Sequence, residues 1–251
     1  MVDIKWVWVF LDTVETDAGP SWEFWRQVTR SGLSPTRGER GEFATFLPAD
    51  GDPWIKVQAV QSGGGVHLDL DVADPRAAAE EAKALGATEL GVLTDSEGRE
   101  GVVILASPGG QVFCFTSAAD ATASQSRDGQ VDLLDQVCLD LPELSFAVDV
   151  VFWHELTGWE IGTGAHHEFS ALRRPDGIPV RVLLQRLGER EGPARAHVDL
   201  ACRDRAATRS RHEQLGAKVV AEGPRWSVMA DPVGRTYCLT DRDPATGRLP
   251  A

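Results

Sequence analysis

The sequence VHLDLDV at residues 66–72 alternates apolar and polar side chains along its whole length. Because successive side chains of a strand point to opposite faces, His67, Asp69 and Asp71 are predicted to share one face of a sheet. Asp74 follows and is a residue type that caps α-helices, and an alanine-rich run comes after it. This stretch therefore predicts a strand followed by a helix.

The same strand-helix sequence returns in the second part of the chain. The tetrapeptide HVDL at 197–200 matches HLDL at 67–70, and the helix-ending LGA at 215–217 matches LGA at 85–87. Both matches have the same offset of 130 residues (197 − 67 and 215 − 85). Two landmarks displaced equally indicate an internal duplication.

More pairs of segments match, with offsets that drift only across loops. Each half is interpreted as two consecutive β-α-β-β-β units, so the predicted fold class is α+β. The composition of residues 118–130 is typical of a linker, which predicts one domain at 1–117 and a second at 131–245. The further matches are residues 9–12 with 137–140, 57–58 with 184–185, and 112–114 with 236–238, at offsets of 128, 127 and 124.

The start of the first helix is marked by the pair Gly19-Pro20, which is typical of a turn. Ser21 follows as a candidate N-cap, and Trp22, Trp25 and Val28 come next at the three-residue spacing of one helix face. The pattern therefore predicts a helix that starts directly after Ser21.

The charge of the chain argues against two classes of partner. Its 251 residues include 25 Lys and Arg against 38 Asp and Glu, a net charge of −13. Without a cluster of basic residues such a chain repels phosphate backbones and anionic membrane surfaces, so we expect neither nucleic acid nor a membrane as a partner. The sequence shows no signal-peptide pattern and no 18-residue apolar stretch, which predicts a cytoplasmic protein.

Several short motifs accompany the repeat. Phe-Trp pairs lie in the first helix of each half, at 24–25 and 152–153, and an Asp-Pro-Val-Gly turn at 231–234 precedes the last strand. In order, spacing and repetition these motifs resemble the vicinal oxygen chelate superfamily. That superfamily includes glyoxalase I, bleomycin-resistance proteins, fosfomycin-resistance enzymes and extradiol dioxygenases. The resemblance implies two paired-module glyoxalase-like domains, each with a cupped mixed sheet.

The resemblance also implies where a metal ion would be held. In metal-using members four ligands come from the first and last strands of both modules, and the usual set is His or Gln, then Glu, His and Glu. This chain keeps the third-position histidine in both halves and lacks both carboxylates. The matching residues are Trp8, Gln58, His67 and Cys114 in the first half and Gln136, Gln185, His197 and Cys238 in the second.

These substitutions decide which cofactor we expect. A divalent ion held for Lewis-acid chemistry needs anionic oxygen ligands or several imidazoles. Trp8 cannot coordinate an ion, so we expect no metal in the first half. We expect no cofactor in the second half either. A divalent metal held at its four positions is the alternative, because the thiol of Cys238 can serve as a ligand. The alternative is that Cys114 and Cys238 are small buried core residues.

A His-x-Asp pair occurs in each half, His67 with Asp69 and His197 with Asp199. A carboxylate beside an imidazole can create a metal-free general base, which makes His197 and Asp199 candidate catalytic residues. The other interpretation is a structural ion pair. We favour the structural interpretation because the same pairing recurs in both halves.

Eight tryptophans suggest a ligand pocket. Trp8, Trp54 and Trp226 lie on or beside predicted strands, where indoles form stacking walls for a planar or hydrophobic ligand or fill a second hydrophobic core. The main pocket is predicted in the second half, because Trp8 would fill the first. Its predicted residues are Gln136, Gln185, His197, Trp226 and Cys238, and those of a secondary pocket are Trp8, Trp54, Gln58, His67 and Cys114.

Two functions of different classes follow from these patterns. One is a binding protein, monomeric or homodimeric, that takes a hydrophobic or aromatic metabolite or antibiotic without metal chemistry. The other is a metal-dependent lyase, isomerase or dioxygenase that uses a site in the second half. The missing carboxylates favour the binding protein.

Overall fold

The computed structural model of the chain describes residues 1–94, 100–117, 129–163 and 167–250. Most of the predicted linker, residues 118–128, lies outside the described residues. The described part forms sixteen strands and four helices in the repeated order that the sequence predicts. This order confirms the tandem β-α-β-β-β units.

The first half contains two such units. Its apolar N-terminal run and the alternating stretch at 66–72 both form strands, and each strand is followed by a helix. The elements are β1 (Trp6–Val14), α1 (Glu15–Val28), β2 (Gly32–Leu33), β3 (Phe43–Leu47), β4 (Ile55–Val60), β5 (Gly65–Val72), α2 (Pro75–Ala84), β6 (Thr88–Thr94), β7 (Glu100–Ala106) and β8 (Val112–Ser117).

The second half repeats the pattern element by element. The elements are β9 (Asp132–Leu141), α3 (Glu143–Thr157), β10 (Glu160–Thr163), β11 (Phe169–Arg173), β12 (Arg181–Arg186), β13 (Arg195–Cys202), α4 (Arg205–Gln214), β14 (Lys218–Glu222), β15 (Trp226–Ala230) and β16 (Thr236–Thr240). Because every element has a counterpart, each position in one half can be compared with an equivalent position in the other.

Each half forms one eight-stranded sheet. The strand orders are β2-β3-β4-β1-β5-β8-β7-β6 and β10-β11-β12-β9-β13-β16-β15-β14, so the two sheets are equivalent strand by strand. β5 pairs with β8 in parallel and β13 with β16 in parallel, whereas β7–β8 and β15–β16 are antiparallel. The sheets are therefore mixed, and the predicted α+β class is confirmed.

The helix cap predicted at Asp74 is present, and Asp204 forms an equivalent cap in the second half. The Asp74 side chain accepts a hydrogen bond from the Ala77 amide at 3.0 Å, and Asp204 accepts one from the Ala207 amide at 2.9 Å. These bonds satisfy amides that the first turn of a helix leaves without an intrahelical partner. They fix equivalent ends of α2 and α4.

The predicted start of the first helix is wrong. α1 begins at Glu15, so Pro20 lies inside the helix and Ser21 is not its N-cap. Glu15 and Asp17 lie in the first turn, where their negative charges interact favourably with the positive end of the helix dipole and stabilise this start of the helix. Ser21 is instead fully buried and accepts a hydrogen bond from Thr13. The local Gly-Pro turn signal was overridden by this packing against β1.

The described residues divide into two compact units, and each unit takes segments from both halves. In one unit the core includes Phe113, Phe152 and Trp153, with Phe113 at 5.9 and 5.1 Å between ring centroids from the other two. The predicted domain limits, 1–117 and 131–245, stay a prediction. This first unit holds residues 1–9, 67–94, 100–117, 138–163 and 167–196.

The second unit has an equivalent aromatic core. Trp25 packs edge-on against Tyr237 with 5.1 Å between centroids, and its indole N–H donates to Asp231 at 3.0 Å. His212 is completely buried there and bonds to the Tyr237 hydroxyl. Burial and the charge of Arg211 lower the pKa of His212 to about 4, so it is a neutral core residue. This unit holds residues 10–66, 129–137 and 197–250.

The longest described helix, α3, has 15 residues, and none of the helices in the described ranges is long and apolar enough to cross a membrane. The four cysteines are free thiols. Three of them, Cys114, Cys138 and Cys202, are buried, and Cys238 is partly exposed.

Candidate functional site

The parallel pairing of β13 and β16 brings three polar side chains of the second half together. Asp199 pairs directly with Cys238 in the register of these strands. His197 precedes Asp199 by two residues and therefore lies on the same face. His197 Nε2 is 3.2 Å from Asp199 Oδ1 and 3.5 Å from Cys238 Sγ. The three donor atoms lie within 4.8 Å of one another.

Gln136 of β9 joins this group through a hydrogen bond at each end of its side-chain amide. Its Nε2 donates to Asp199 Oδ2 at 2.5 Å, and its Oε1 accepts from Arg242 Nη1 at 2.9 Å. The residue is 8% exposed. Both polar atoms of the amide are thus committed to protein partners, and Gln136 orients the Asp199 carboxylate. We call Gln136, His197, Asp199 and Cys238 the second-half cluster.

Arg242 supplies a buried positive charge next to this cluster. Its Nη2 is 2.9 Å from Asp135 Oδ1, and its Nε donates to Thr240 Oγ1 at 3.1 Å. A buried guanidinium requires such partners because its desolvation is costly. Sequence reasoning missed both charged residues. The signal available in the sequence was a difference between the halves at these two positions. The equivalent residues in the first half are the uncharged Val7 and Ala118, at offsets of 128 and 124 (135 − 7 and 242 − 118).

These neighbours keep Asp199 ionised although it is buried. Burial by itself raises the pKa of this carboxyl. The hydrogen bond and the charge of His197 act against burial, and so do the charge of Arg242 and the hydrogen bond from Gln136. The resulting pKa lies below the ordinary value of an aspartate. The cluster therefore presents a fixed carboxylate beside an imidazole and a thiol, which can hold a proton on the imidazole or bind a cation.

The first half contains an equivalent group on β5 and β8. Asp69 pairs directly with Cys114, and His67 Nε2 is 3.4 Å from Asp69 Oδ1. The donor atoms of these three residues also lie within 4.8 Å of one another. Cys114 is 6% exposed. We call Trp8, His67, Asp69 and Cys114 the first-half cluster.

Trp8 takes the position that Gln136 has in the second half, and its hydrogen bond goes elsewhere. The indole N–H donates to Asp71 Oδ2 at 3.0 Å, and Thr116 donates to the other oxygen of Asp71. The Trp8 ring also packs edge-on against Trp6 with 6.4 Å between centroids. Both indoles are buried. The first-half cluster is thus bordered by packed aromatic rings.

The remaining predicted site residues lie at several places on the sheets. Gln58 pairs with Phe43 in the β3–β4 register, and the Gln185 amide oxygen accepts a weak hydrogen bond from Cys138 at 3.5 Å. Trp226 pairs with Thr240 on β16, and alternation along β16 places Thr240 on the same strand face as Cys238. The structure therefore brings Gln136, His197 and Cys238 together and keeps Trp226 on their face.

Trp54, predicted for the secondary pocket, is buried in the second compact unit. Its indole N–H donates to the Leu134 carbonyl at 3.2 Å. A cavity beside it, also lined by Phe46 and Asp132, has a volume of about 20 Å³. Such a space holds about one water molecule and is too small for an organic ligand. Trp54 is therefore a packing residue at this cavity.

The repeated geometry agrees with a sequence-family match over most of the chain. Residues 8–116 and 136–240 each match the model of the glyoxalase-like domain. The chain belongs to the glyoxalase-like domain family. The vicinal oxygen chelate superfamily predicted from the sequence is thereby confirmed for both halves of this glyoxalase-like protein. No curated protein matches the sequence significantly.

Solved structures share the fold of this glyoxalase-like chain at low identity. The Mn(II)-bound glyoxalase from Novosphingobium aromaticivorans has a TM-score of 0.67 and 19% identity, over 100% of this chain and 89% of that one. The 2,2',3-trihydroxybiphenyl 1,2-dioxygenase from dibenzofuran-degrading Sphingomonas wittichii strain RW1 has a TM-score of 0.61 and 15% identity, over 95% and 90%. A xylose isomerase-like TIM barrel/4-hydroxyphenylpyruvate dioxygenase fusion protein has a TM-score of 0.58 and 15% identity. The match covers 87% of this chain and 40% of the fusion protein.

Proposed function

We propose that the protein binds a small hydrophobic or aromatic molecule, a metabolite or an antibiotic, at the second-half cluster without the four-ligand metal set of its superfamily. The observation that supports this proposal most directly is the double engagement of Gln136 by Asp199 and Arg242. A residue at the first ligand position that is tied to two protein partners orients a binding surface and does not present its amide to an ion.

The residues at the superfamily's ligand positions do not fit a hard divalent ion such as Mn(II). Such ions prefer several oxygen ligands, with carboxylates among them. Neither half has a carboxylate at the four positions, and in the first half Trp8 has no atom that binds a cation as a ligand. We therefore derive no chemical step through an ion at those positions.

The groups that support ligand binding are concentrated in the second half. His197 and Cys238 are partly exposed, whereas Asp199 and Gln136 are buried and hold them in a defined surrounding. An imidazole and a thiol beside a fixed carboxylate can orient a carbonyl or hydroxyl group of a ligand. Trp226, partly exposed on the same face, offers a flat apolar surface for a ring.

A second candidate function is a metal-dependent lyase, isomerase or dioxygenase that uses the second half. It is favoured by the convergence of His197, Asp199 and Cys238, since three donor atoms of this kind within 4.8 Å can hold an ion. The structural relatives include a Mn(II)-bound glyoxalase and a dioxygenase, but identities of 19% and 15% show the fold alone.

A thermal-shift titration with aromatic probes tests the binding proposal. We suggest 2,2',3-trihydroxybiphenyl, the compound in the name of one structural relative, with biphenyl and catechol as simpler analogues. Titrations in the presence of a chelator separate binding from any metal effect. We expect a probe to raise the melting temperature, because a ligand that binds the folded state stabilises it in proportion to its occupancy.

Matched variants locate the binding site. The shift should shrink in His197→Ala and Gln136→Leu and should persist in His67→Ala, the equivalent change in the first half. Equal losses in His197→Ala and His67→Ala would mean that both halves bind, and a loss in His67→Ala alone would place the site in the first half. Either outcome contradicts the proposal.

A further inference from the structure

We propose that His197, Asp199 and Cys238 form a three-ligand site for a thiophilic divalent ion such as Zn²⁺. This set differs from the four ligand positions of the superfamily, because Asp199 takes part and the two glutamine positions do not. The inference goes beyond the binding function proposed above and does not depend on it. A site of this kind would present an ion to the face on which Trp226 lies.

The two separations that involve the His197 nitrogen match a tetrahedral zinc site. With usual zinc bond lengths to nitrogen, oxygen and sulfur, a tetrahedron places N and O about 3.4 Å apart and N and S about 3.6 Å apart. The observed separations are 3.2 Å from His197 Nε2 to Asp199 Oδ1 and 3.5 Å from that nitrogen to Cys238 Sγ. These two pairs of donors therefore need shifts of only a few tenths of an ångström to bind an ion, and all three donor atoms lie within 4.8 Å of one another.

The charges of the group also favour a cation. Asp199 and Cys238 both face the same nitrogen of His197, and one Nε2 proton can be donated well to one acceptor at a time. Asp199 Oδ1 is buried and lies 3.2 Å from His197 Nε2, while Cys238 Sγ lies 3.5 Å from the same nitrogen. A divalent ion among the three donors would bind the carboxylate and the thiolate together, and their two negative charges would balance its charge.

A chain of buried hydrogen bonds orients the carboxylate from behind. Asp199 Oδ2 accepts from Gln136, whose amide oxygen accepts from Arg242, and Arg242 pairs with Asp135. In metal sites, partners that fix a ligating carboxylate strengthen binding by about 10- to 100-fold. Gln136 is therefore a positioning residue in this proposal and not a ligand.

The first-half cluster provides an internal control. His67, Asp69 and Cys114 have the same chemistry, but the residue equivalent to Gln136 is Trp8, whose N–H donates to Asp71 and not to Asp69. The separation of His67 Nε2 from Asp69 Oδ1 is 3.4 Å, which also suits zinc, so the halves differ in the residue that orients the carboxylate. We therefore expect the second half to bind the ion more tightly than the first.

Cobalt(II) titration of the full-length metal-free protein tests the site directly. Co²⁺ replaces zinc in tetrahedral sites, and its visible absorption reports tetrahedral geometry. A near-ultraviolet charge-transfer band reports a cobalt-thiolate bond. We expect one tight equivalent with both signatures, displaced by Zn²⁺, and at least tenfold weaker binding of Mn²⁺ because a thiolate and an imidazole suit softer ions.

Variants separate the proposed ligands from the alternatives. Cys238→Ser should abolish the charge-transfer band, Asp199→Asn should weaken Co²⁺ binding at least tenfold, and Gln136→Leu should weaken it about 10- to 100-fold. Cys114→Ser and Gln185→Leu should change the tight equivalent less than twofold. Circular dichroism of each variant verifies that it is folded, and Asp199→Glu offers a second variant that retains a carboxylate if Asp199→Asn is unstable.

Three results would overturn this assignment. They are the absence of a thiolate band in the wild-type protein, an unchanged band in Cys238→Ser, and a loss in Gln185→Leu without a loss in Asp199→Asn. The last result would place the ion at the superfamily's positions. If the aromatic probes bind in chelator while Co²⁺ fails to bind, the metal inference fails and the proposed binding function stands.

Discussion

Each half of the chain brings a histidine, an aspartate and a cysteine together on equivalent strands, but the side chains around these three residues differ. In the first half, Trp8 donates its indole N–H to Asp71 and packs against Trp6. In the second, Gln136 at the equivalent position lies between Asp199 and Arg242. The residue at this one position of the first strand therefore makes the surroundings of the cluster aromatic in the first half and polar and charged in the second.

This difference shows how a duplicated fold can give its two copies separate roles. The strand register that brings Asp69 to Cys114 and Asp199 to Cys238 is common to both halves. What differs is the residue that orients the carboxylate and the buried charge behind it. A polar cluster with a fixed orientation supports binding, whereas buried indoles contribute mainly apolar area and packing.

The largest expected effect comes from removing the buried charge of the second half. Arg242→Met leaves Asp135 without its ion-pair partner and Gln136 without a donor, and the change should lower the free energy of unfolding by about 3 to 5 kcal/mol. Urea denaturation followed by tryptophan fluorescence measures the loss. The exposed Arg248→Met is the control and should change stability little. A loss of equal size in both variants would mean that the buried pair has no special role.

Making the first half resemble the second is the next test. Trp8→Gln removes a buried indole and the hydrogen bond to Asp71, so we expect a loss of about 3 kcal/mol. Trp22→Gln removes a less buried indole and should cost less. If Trp8→Gln is as stable as the wild type, the aromatic packing around the first-half cluster is not what distinguishes the halves. The same urea denaturation experiment compares the two variants.

The helix caps offer a comparison in which the halves should behave alike. Asp74→Ala and Asp204→Ala each remove one hydrogen bond at the start of α2 or α4, and each should cost about 1 kcal/mol. Melting temperatures measured by circular dichroism would report the two losses. A clear difference between the variants would show that the repeat is less equivalent at its helices than the cap geometry indicates.

The smallest expected effect is a change of stability with pH at a second place where the two halves differ. At the end of β15, Asp231 accepts the indole N–H of Trp25, whereas the equivalent turn after β7 has Ser107 (231 − 107 = 124), which lies beside the carboxylate of Asp149 from α3. Burial raises the pKa of Asp149, although hydrogen bonds from Ser107 and the Gly109 backbone oppose it.

Since the folded-state pKa of Asp149 is raised, its protonated form favours the folded state. This contribution is fully present below the unfolded value and is lost as the pH rises through the folded pKa. An asparagine at this position has no carboxyl group, so its contribution to stability does not change with pH in this range. The stability of the wild type minus that of Asp149→Asn should therefore fall as the pH rises through this range. A difference that rises with pH, measured by urea denaturation at several pH values, would contradict this sign.

Much of the fold could be predicted because its signals are local and repeated. Alternation in the sequence at 66–72 predicted β5, and nearly constant offsets predicted the duplication. Asp74 predicted a helix cap, which has an equivalent at Asp204 in the second half. The start of α1 could not be predicted, because the Gly19-Pro20 turn signal is local while the burial of Ser21 against β1 is not.

The candidate site likewise has a part that local sequence signals predicted and a part that they could not predict. The sequence by itself placed His197 and Asp199 on one strand face and paired Gln136 with Trp8 as equivalent positions, since both inferences need only periodicity and offset. The tertiary structure decided that Arg242 reaches Gln136 across 106 residues of sequence and holds a buried charge beside Asp199. Contacts at such separations depend on how strands are ordered in the sheet, and neither composition nor spacing records that order.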